Sequence, residues 1–216
     1  MRSIDFVAEI GSMHKGNPSL AFEMIRRAKE SGANVAKFQF GWPPWDTLRH
    51  VDGWAADLAA WCKHFDIELM ASIWSLDGLE AARSVGMKRY KIAHQKADDA
   101  ELVAAVLADG KETFISSGNF SYHENVKMLY CIPNYPTYPA DFALPQAFCG
   151  GSDYYGYSDH SHGIEPCLLA VARGARYIEK HFTLDKTETL RDNAFSATPA
   201  EFSELVRIGS GIARLL

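Results

Sequence analysis

The stretch YYGYSDHSHGIEPCLLAVARGARYIEKHFTL, residues 154–184, decides how this chain folds. It opens on a strand-like run (154–160), passes through a helical pattern, EPCLLAVARGA (165–175), and returns to a second strand-like run (177–184). Two largely apolar strands joined by a helix form a βαβ unit, and strands of that kind belong to a parallel sheet covered by helices. Alternation along each strand puts Ser158 and His160 on one face of the first, and Glu179 and His181 on one face of the second.

Working outward, the same unit recurs. Further strand-like runs are FVAEIG (6–11), VAKFQF (35–40), ELMASIW (68–74), RYKIAH (89–94), TFISSG (113–118) and MLYCIPNY (128–135), which makes eight in all. Between them lie helical patterns at 19–32, 52–65, 77–86 and 99–110, with a last one at 199–216. In the first, Leu20, Met24, Ile25 and Ala28 keep helical spacing and Gly32 supplies the stop. Eight βα units predict a closed (β/α)₈ TIM barrel, an α/β fold, forming a single catalytic domain over residues 1–216. The chain is short for that architecture. Only NFSYHENVK separates Gly118 from Met128, so the fifth helix is expected to be reduced or missing. The Trp- and Pro-rich segment FGWPPWDTLRHVDG (40–53) is the longest loop and falls on the catalytic side of a barrel, as a lid or an interface.

Composition narrows the function. A net charge of −5 gives no basic excess for a nucleic-acid partner. No apolar run approaches the roughly 18 residues that span a bilayer. The opening MRSIDFVAEIG has no signal-peptide pattern, and Cys62, Cys131, Cys149 and Cys167 show no metal-knuckle spacing, so a cytoplasmic protein with reduced thiols is expected. No GxxxxGK[ST] loop or strand-linked GxGxxG supports a nucleotide site.

The polar residues inside the strands are the informative ones. Lys37 and Gln39 share a face of the second strand, and Glu9 and Lys91 fall near the ends of the first and fourth. Buried charges must pair with each other, a ligand or a metal, so inward-pointing lysines, glutamates and histidines mark a site. His160 and His181 end consecutive strands, one βα unit apart. Two such imidazoles suit a catalytic divalent ion with open positions. Asp159 or Asp192 is a candidate to orient a histidine, and His162 has the parity of a loop residue. Lys37 and Lys91, beside the hydroxyls of Ser72, Ser116, Ser117 and Ser158, read as an anion pocket.

The segments AEIGSMHKG (8–16), GANVAKFQF (32–40), YKIA (90–93), ISSG (115–118), CIPNYPT (131–137), GYSDHSHG (156–163), EKHFTLDK (179–186) and RDNAFSATPAEF (191–202) occur in the order seen in sialic acid synthases, which the chain resembles over almost its whole length. The resemblance implies condensation of phosphoenolpyruvate with an aldehyde sugar such as N-acetylmannosamine, giving a 2-keto-3-deoxy acid and phosphate. It implies a divalent metal on His160 and His181, with Mn²⁺ first and Mg²⁺, Co²⁺ or Zn²⁺ as alternatives. Lys37, Ser72, Lys91 and Ser158 match phosphoenolpyruvate-binding positions. Gln39, Tyr135 and Glu9 match positions around the sugar, and Glu179, Asp192 and Glu9 match those around the reacting centre.

Departures from the family pattern accompany the match. Met13 stands where Asn is usual, His94 and Lys96 replace a serine and an acidic residue, and Pro133 replaces a small polar residue. Asp192 is followed by Asn193, and the C-terminal antifreeze-like domain, which lends an arginine to a partner's site, is not in the sequence. The resemblance therefore implies an altered acceptor. It leaves the assembly open, a homodimer included. A metal-dependent aldolase or lyase without phosphoenolpyruvate and a non-catalytic sugar-binding relative are the competing readings.

Overall fold

The computed structural model describes residues 4–116, 124–187, 189 and 192–216. Eight parallel strands run β1 (Asp5–Glu9), β2 (Val35–Phe40), β3 (Glu68–Ile73), β4 (Tyr90–Ile92), β5 (Thr113–Ser116), β6 (Val126–Cys131), β7 (Tyr154–Asp159) and β8 (Tyr177–His181). They hydrogen-bond in sequence order and close, β8 pairing with β1. The (β/α)₈ barrel expected from the sequence is the fold.

Among the described residues six α-helices pack outside: α1 (Pro18–Glu30), α2 (Ala55–His64), α3 (Leu76–Ser84), α4 (Ala100–Leu107), α5 (Glu165–Ala172) and α6 (Pro199–Ala213). Each boundary has a local cause. At the start of α1 the Asn17 side chain accepts from the N–H groups of Ser19 and Leu20, Pro18 takes the first turn, and Met24, Ile25 and Ala28 face the core. Gly32, at φ +89°, then reverses the chain toward β2 in a conformation only glycine adopts without strain. Helix α6 opens on a capping box in which Thr198 and Glu201 satisfy each other's backbone N–H groups.

The expectation of a reduced fifth helix falls on residues 117–123, which lie outside the described residues. A second economy lies between β6 and β7, where the connection carries a single 3-10 turn, Pro139–Asp141, in place of an α-helix.

Three layers of side chains fill the barrel. At the N-terminal end Arg89 bonds Asp5 and Glu68 and reaches Glu112, which Lys127 also pairs. Above lies an apolar layer of Val7, Val35, Met70, Phe114, Leu129 and Tyr177, with Phe114 stacked on Tyr177 at 4.4 Å. Stacking of that kind adds about 1 kcal/mol beyond burial. The third layer, nearest the C-terminal ends of the strands, is polar and forms the site.

On the outer face of the sheet Asp159 and Lys180 pair at 2.6 Å, both fully buried. Asp159 also accepts from Tyr157 and Ser161. Strand alternation aims it away from His160, so it orients no histidine. This cluster satisfies itself behind the sheet.

Candidate active site

Adjacent registers bring the expected residues together: Glu9 lies beside both Lys37 and His181, Gln39 beside Ser72, Ser72 beside Lys91, and Ser158 beside Glu179. All point into the barrel, and Lys37, Lys91, Glu9 and Glu179 are all but inaccessible to solvent. Two ammonium groups and two carboxylates balance there. Lys37 pairs with Glu9, hydrogen-bonds Ser72 at 2.8 Å and lies 3.6 Å from Glu179. Lys91 bonds Glu179 at 2.5 Å and Ser158 at 3.1 Å. Lys91 has three N–H groups and two hydrogen-bonding partners among the described residues, which leaves one donor for a ligand, while the third N–H of Lys37 faces Glu179.

Burial and charge set the protonation states. Burial alone would raise the Glu179 carboxyl, but Lys37 and Lys91 outweigh it and hold the group ionised. Both of its oxygens are engaged, one by Lys91 and Ser158 and the other by Tyr177. Burial raises Glu9, and Lys37 opposes that rise only in part. Burial lowers Lys91, with the Glu179 carboxylate opposing. For Lys37 burial pushes down while Glu179 and Glu9 push up, and the pair of carboxylates prevails.

The histidines stand at the edge of this floor. Their ring centroids are 5.6 Å apart, and Phe195 packs edge-on against both. Backbone bonds pin each strand end: Thr137 N–H to the His160 carbonyl at 2.9 Å, and Ala197 N–H to the His181 carbonyl at 2.7 Å. The first of these sets the 135–137 segment so that the Tyr135 ring rests 4.1 Å from that of His160. Burial, with Lys91, lowers His160 to about 4. Burial and then His160 hold His181 well below its ordinary value. Both imidazoles are therefore neutral at pH 7, with lone pairs to offer. His160 Nδ1 lies 3.3 Å from the Ile132 carbonyl, while buried His181 Nδ1 has no hydrogen-bond partner among the described residues. Two neutral imidazoles, one with an orphaned nitrogen, fit a borderline divalent cation such as Mn²⁺, Co²⁺ or Zn²⁺. Among the described residues no cluster of three or more His, Cys, Asp or Glu groups completes a closed metal cage. A cation on this pair would keep open positions.

The pocket above the floor has a volume of about 130 Å³, and Glu9, Lys37, Ser72, Lys91, Glu179 and both histidines line it. Gln39, Tyr135 and Asp192 line its wall. The Gln39 amide is held at both ends, donating to Glu9 at 2.9 Å and accepting from the Trp42 indole at 3.0 Å. Ser158 sits below, bonded to Lys91 and Glu179. Ser116 is buried with its hydroxyl unpartnered among the described residues. Ser117 lies outside the described residues.

The departures from the family pattern mostly miss the pocket. Met13 is buried in the outer core, and Ser12 lines the pocket instead. Gln95, between His94 and Lys96, is the residue of that turn that reaches it. Pro133 is exposed, and His162 is a rim residue bonded to the Ala194 carbonyl. Six lining residues were not singled out from the sequence: Ser12, Trp42, Arg49, Trp74, Ala93 and Gln95. The Trp-rich loop was the available signal, and it forms pocket wall.

A parallel (β/α)₈ barrel with a charged site at the C-terminal ends of its strands is an enzyme architecture whose reactive groups come from several strands at once. The NeuB family model matches residues 45–215, and the chain belongs to that family. It is 29% identical to the pseudaminic acid synthase of Campylobacter jejuni over 95% of this chain and 72% of that one. It is 28% identical to the N-acetylneuraminate-9-phosphate synthase of Homo sapiens over 93% of this chain and 68% of that one. The crystal structure of the N-acetylneuraminic acid synthetase of Leptospira borgpetersenii, in complex with citrate, superposes with a TM-score of 0.85 at 27% identity, covering 99% of this chain and 85% of that one. No helix among the described residues is long and apolar enough to cross a membrane.

Proposed function

We propose that this protein is a synthase that condenses phosphoenolpyruvate with an aldehyde sugar. The products are a sialic-acid-like 2-keto-3-deoxy acid and inorganic phosphate. The observation that carries the reading is the floor: two buried lysines held by two carboxylates beside two neutral histidines. A small dianion is the ligand such donors accept. Membership of a family whose relatives are sialic and pseudaminic acid synthases supplies the reaction class.

Lys37 and Lys91 would hold the phosphate and carboxylate of phosphoenolpyruvate, with the Ser72 hydroxyl as a further donor and Ser158, whose proton goes to Glu179, positioning Lys91. Both Glu179 oxygens are engaged and the two lysines hold the group ionised, so it orients Lys91 and Ser158. Tyr135 and Gln39 wall the acceptor, and Glu9 keeps Gln39 and Lys37 in place. His160 and His181 would hold a divalent ion, Mn²⁺ first, which when bound polarises the aldehyde oxygen. C3 of phosphoenolpyruvate then bonds the aldehyde carbon, whose oxygen takes a proton. Water adds to C2 and gives up its proton, with Asp192 at the rim as the acceptor. The C2–O bond to phosphate breaks, the C2 hydroxyl becomes the carbonyl and its proton goes to the departing phosphate, leaving the keto acid. His94 and Pro133, the departures from the family pattern that would favour a competing aldolase, do not line the pocket.

The test mixes the protein with phosphoenolpyruvate, N-acetylmannosamine and Mn²⁺ and follows inorganic phosphate. Release that needs an aldehyde and disappears in His160→Ala is the expected result. Absence of phosphoenolpyruvate binding by calorimetry, with or without Mn²⁺, would sink the synthase reading.

A further inference from the structure

Of the six side chains in the apolar layer beneath the floor, Tyr177 alone carries a hydroxyl. It is fully buried, and the stack on Phe114 at 4.4 Å holds its ring. Tyr177 and Glu179 lie two residues apart on β8 and share its inward face, so the phenol reaches the carboxylate. Its hydroxyl donates to Glu179 Oε2 at 3.0 Å, and Met70 Sδ is a second, weaker neighbour at 3.8 Å. Burial raises the phenol well above its ordinary value, with Glu179 adding to the rise, so the proton stays on the hydroxyl. Tyr177 does not line the pocket.

That bond decides how Glu179 is turned. Oε1 serves three groups: Lys91 at 2.5 Å, Ser158 at 3.0 Å and Lys37 at 3.6 Å. Oε2 has Tyr177 as its hydrogen-bonding partner among the described residues. The last torsion of a glutamate side chain is broad, so its partners, and not an intrinsic barrier, hold the carboxylate in place. Without the hydroxyl, Oε2 would stand against an apolar layer with no donor, and a buried charged oxygen left unpaired is costly. The carboxylate would relieve that cost by turning Oε2 toward Lys37. The same turn withdraws Oε1 from Lys91 and Ser158, the groups it now holds in place for an anion.

We infer that Tyr177 is a positioning residue for the anion site: from the layer below, its hydroxyl fixes the rotation of Glu179 and, through it, the placement of Lys91 and Ser158. The inference rests on the proposed function in taking phosphoenolpyruvate as the anion. It adds to that reading a residue that never touches the substrate.

The test compares wild type, Tyr177→Phe and Phe114→Leu. Tyr177→Phe keeps the ring and its stack and removes one donor. By calorimetry with Mn²⁺ present, phosphoenolpyruvate should bind Tyr177→Phe roughly tenfold more weakly than wild type, the scale of one hydrogen bond to a charged group. Mn²⁺ affinity, followed by electron paramagnetic resonance, should stay within about twofold, because neither histidine bonds this tyrosine. Phe114→Leu loosens the same layer but leaves the hydroxyl, so it should lower the thermal midpoint and hold phosphoenolpyruvate affinity within about twofold. A crystal structure of Tyr177→Phe should show the Glu179 carboxylate turned toward Lys37. An unmoved carboxylate, or unchanged phosphoenolpyruvate affinity in Tyr177→Phe, would overturn the inference. So would an equal loss in Phe114→Leu, or a parallel loss of Mn²⁺ affinity in Tyr177→Phe, since either would mean general loosening of the barrel. If wild type binds no phosphoenolpyruvate, the synthase reading fails, and the carboxylate's position in the variant crystal decides the role of Tyr177 by itself.

Discussion

At the scale of single residues, burial of groups that would otherwise titrate governs this barrel. His14 shows it outside the site. Its ring is inaccessible, packs between Phe38 and Trp54, and accepts the Gly16 N–H at Nδ1, while Nε2 has no partner among the described residues. Burial lowers its pKa from 6.5 to about 4. Between those values the unfolded chain binds a proton that the folded chain refuses, so stability falls as pH drops through the window. Over the whole window one such histidine removes about 3 kcal/mol. Urea midpoints at pH 7 and pH 5 should therefore differ. His14→Asn, which keeps an acceptor for Gly16 but cannot titrate, should narrow the difference. An unchanged gap in that variant would mean that the slope arises elsewhere. Residue-scale legibility was good wherever charge met an apolar strand, as at Lys37, Lys91, Glu179 and the histidines. Arg49 gave no such signal, because an arginine in a polar loop is ordinary until the fold places it in the pocket lining.

Elements set which residues meet. The contact between β7 and β8 is close enough that a Cβ on Gly156 would lie 2.2 Å from the Tyr177 carbonyl oxygen, a backbone atom that cannot step aside. Gly156→Ala should cost about 2–3 kcal/mol, as overpacking does, and should disturb Ser158 and Glu179 two residues farther along. Chemical denaturation measures the first effect. A stability within about 0.5 kcal/mol of wild type would show that the strands can part without strain. The sequence showed the eight strands and the helices that cover them, since a period of two or of 3.6 is written locally. It did not show that the β6–β7 connection lacks a helix, because 132–153 is read only as a gap between patterns. Nor did it show the Asp159–Lys180 pair, since alternation predicts a direction but not the partner found there.

For the whole molecule, closure of the barrel is what brings distant charges into one layer. Arg89 joins Asp5, Glu68 and Glu112, contributed by β1, β3 and the residue before β5, at the end opposite the site. Arg89→Met would leave three carboxylates facing one another with Lys127 as the cation beside Glu112. The group is partly exposed, so a loss of about 2 kcal/mol is expected, less than for a sealed pair. Thermal unfolding at pH 7 should show it. A variant as stable as wild type at pH 7 would mean that the network fills space and contributes no net electrostatic stability.

By itself the sequence determined the repeating βα unit, the barrel it implies, and the set of strand-borne polar residues that share an inward face. Those are properties of neighbours along the chain, where apolar spacing and the cost of an unpaired buried charge leave few choices. Only the tertiary structure decided how those charges divide: Glu179 bound to Lys91, Glu9 to Lys37, Asp159 turned outward, and Arg49 laid over Trp42 in the pocket lining. Pairing energies depend on distances of a few ångströms between residues tens of positions apart, and closure of the sheet sets those distances.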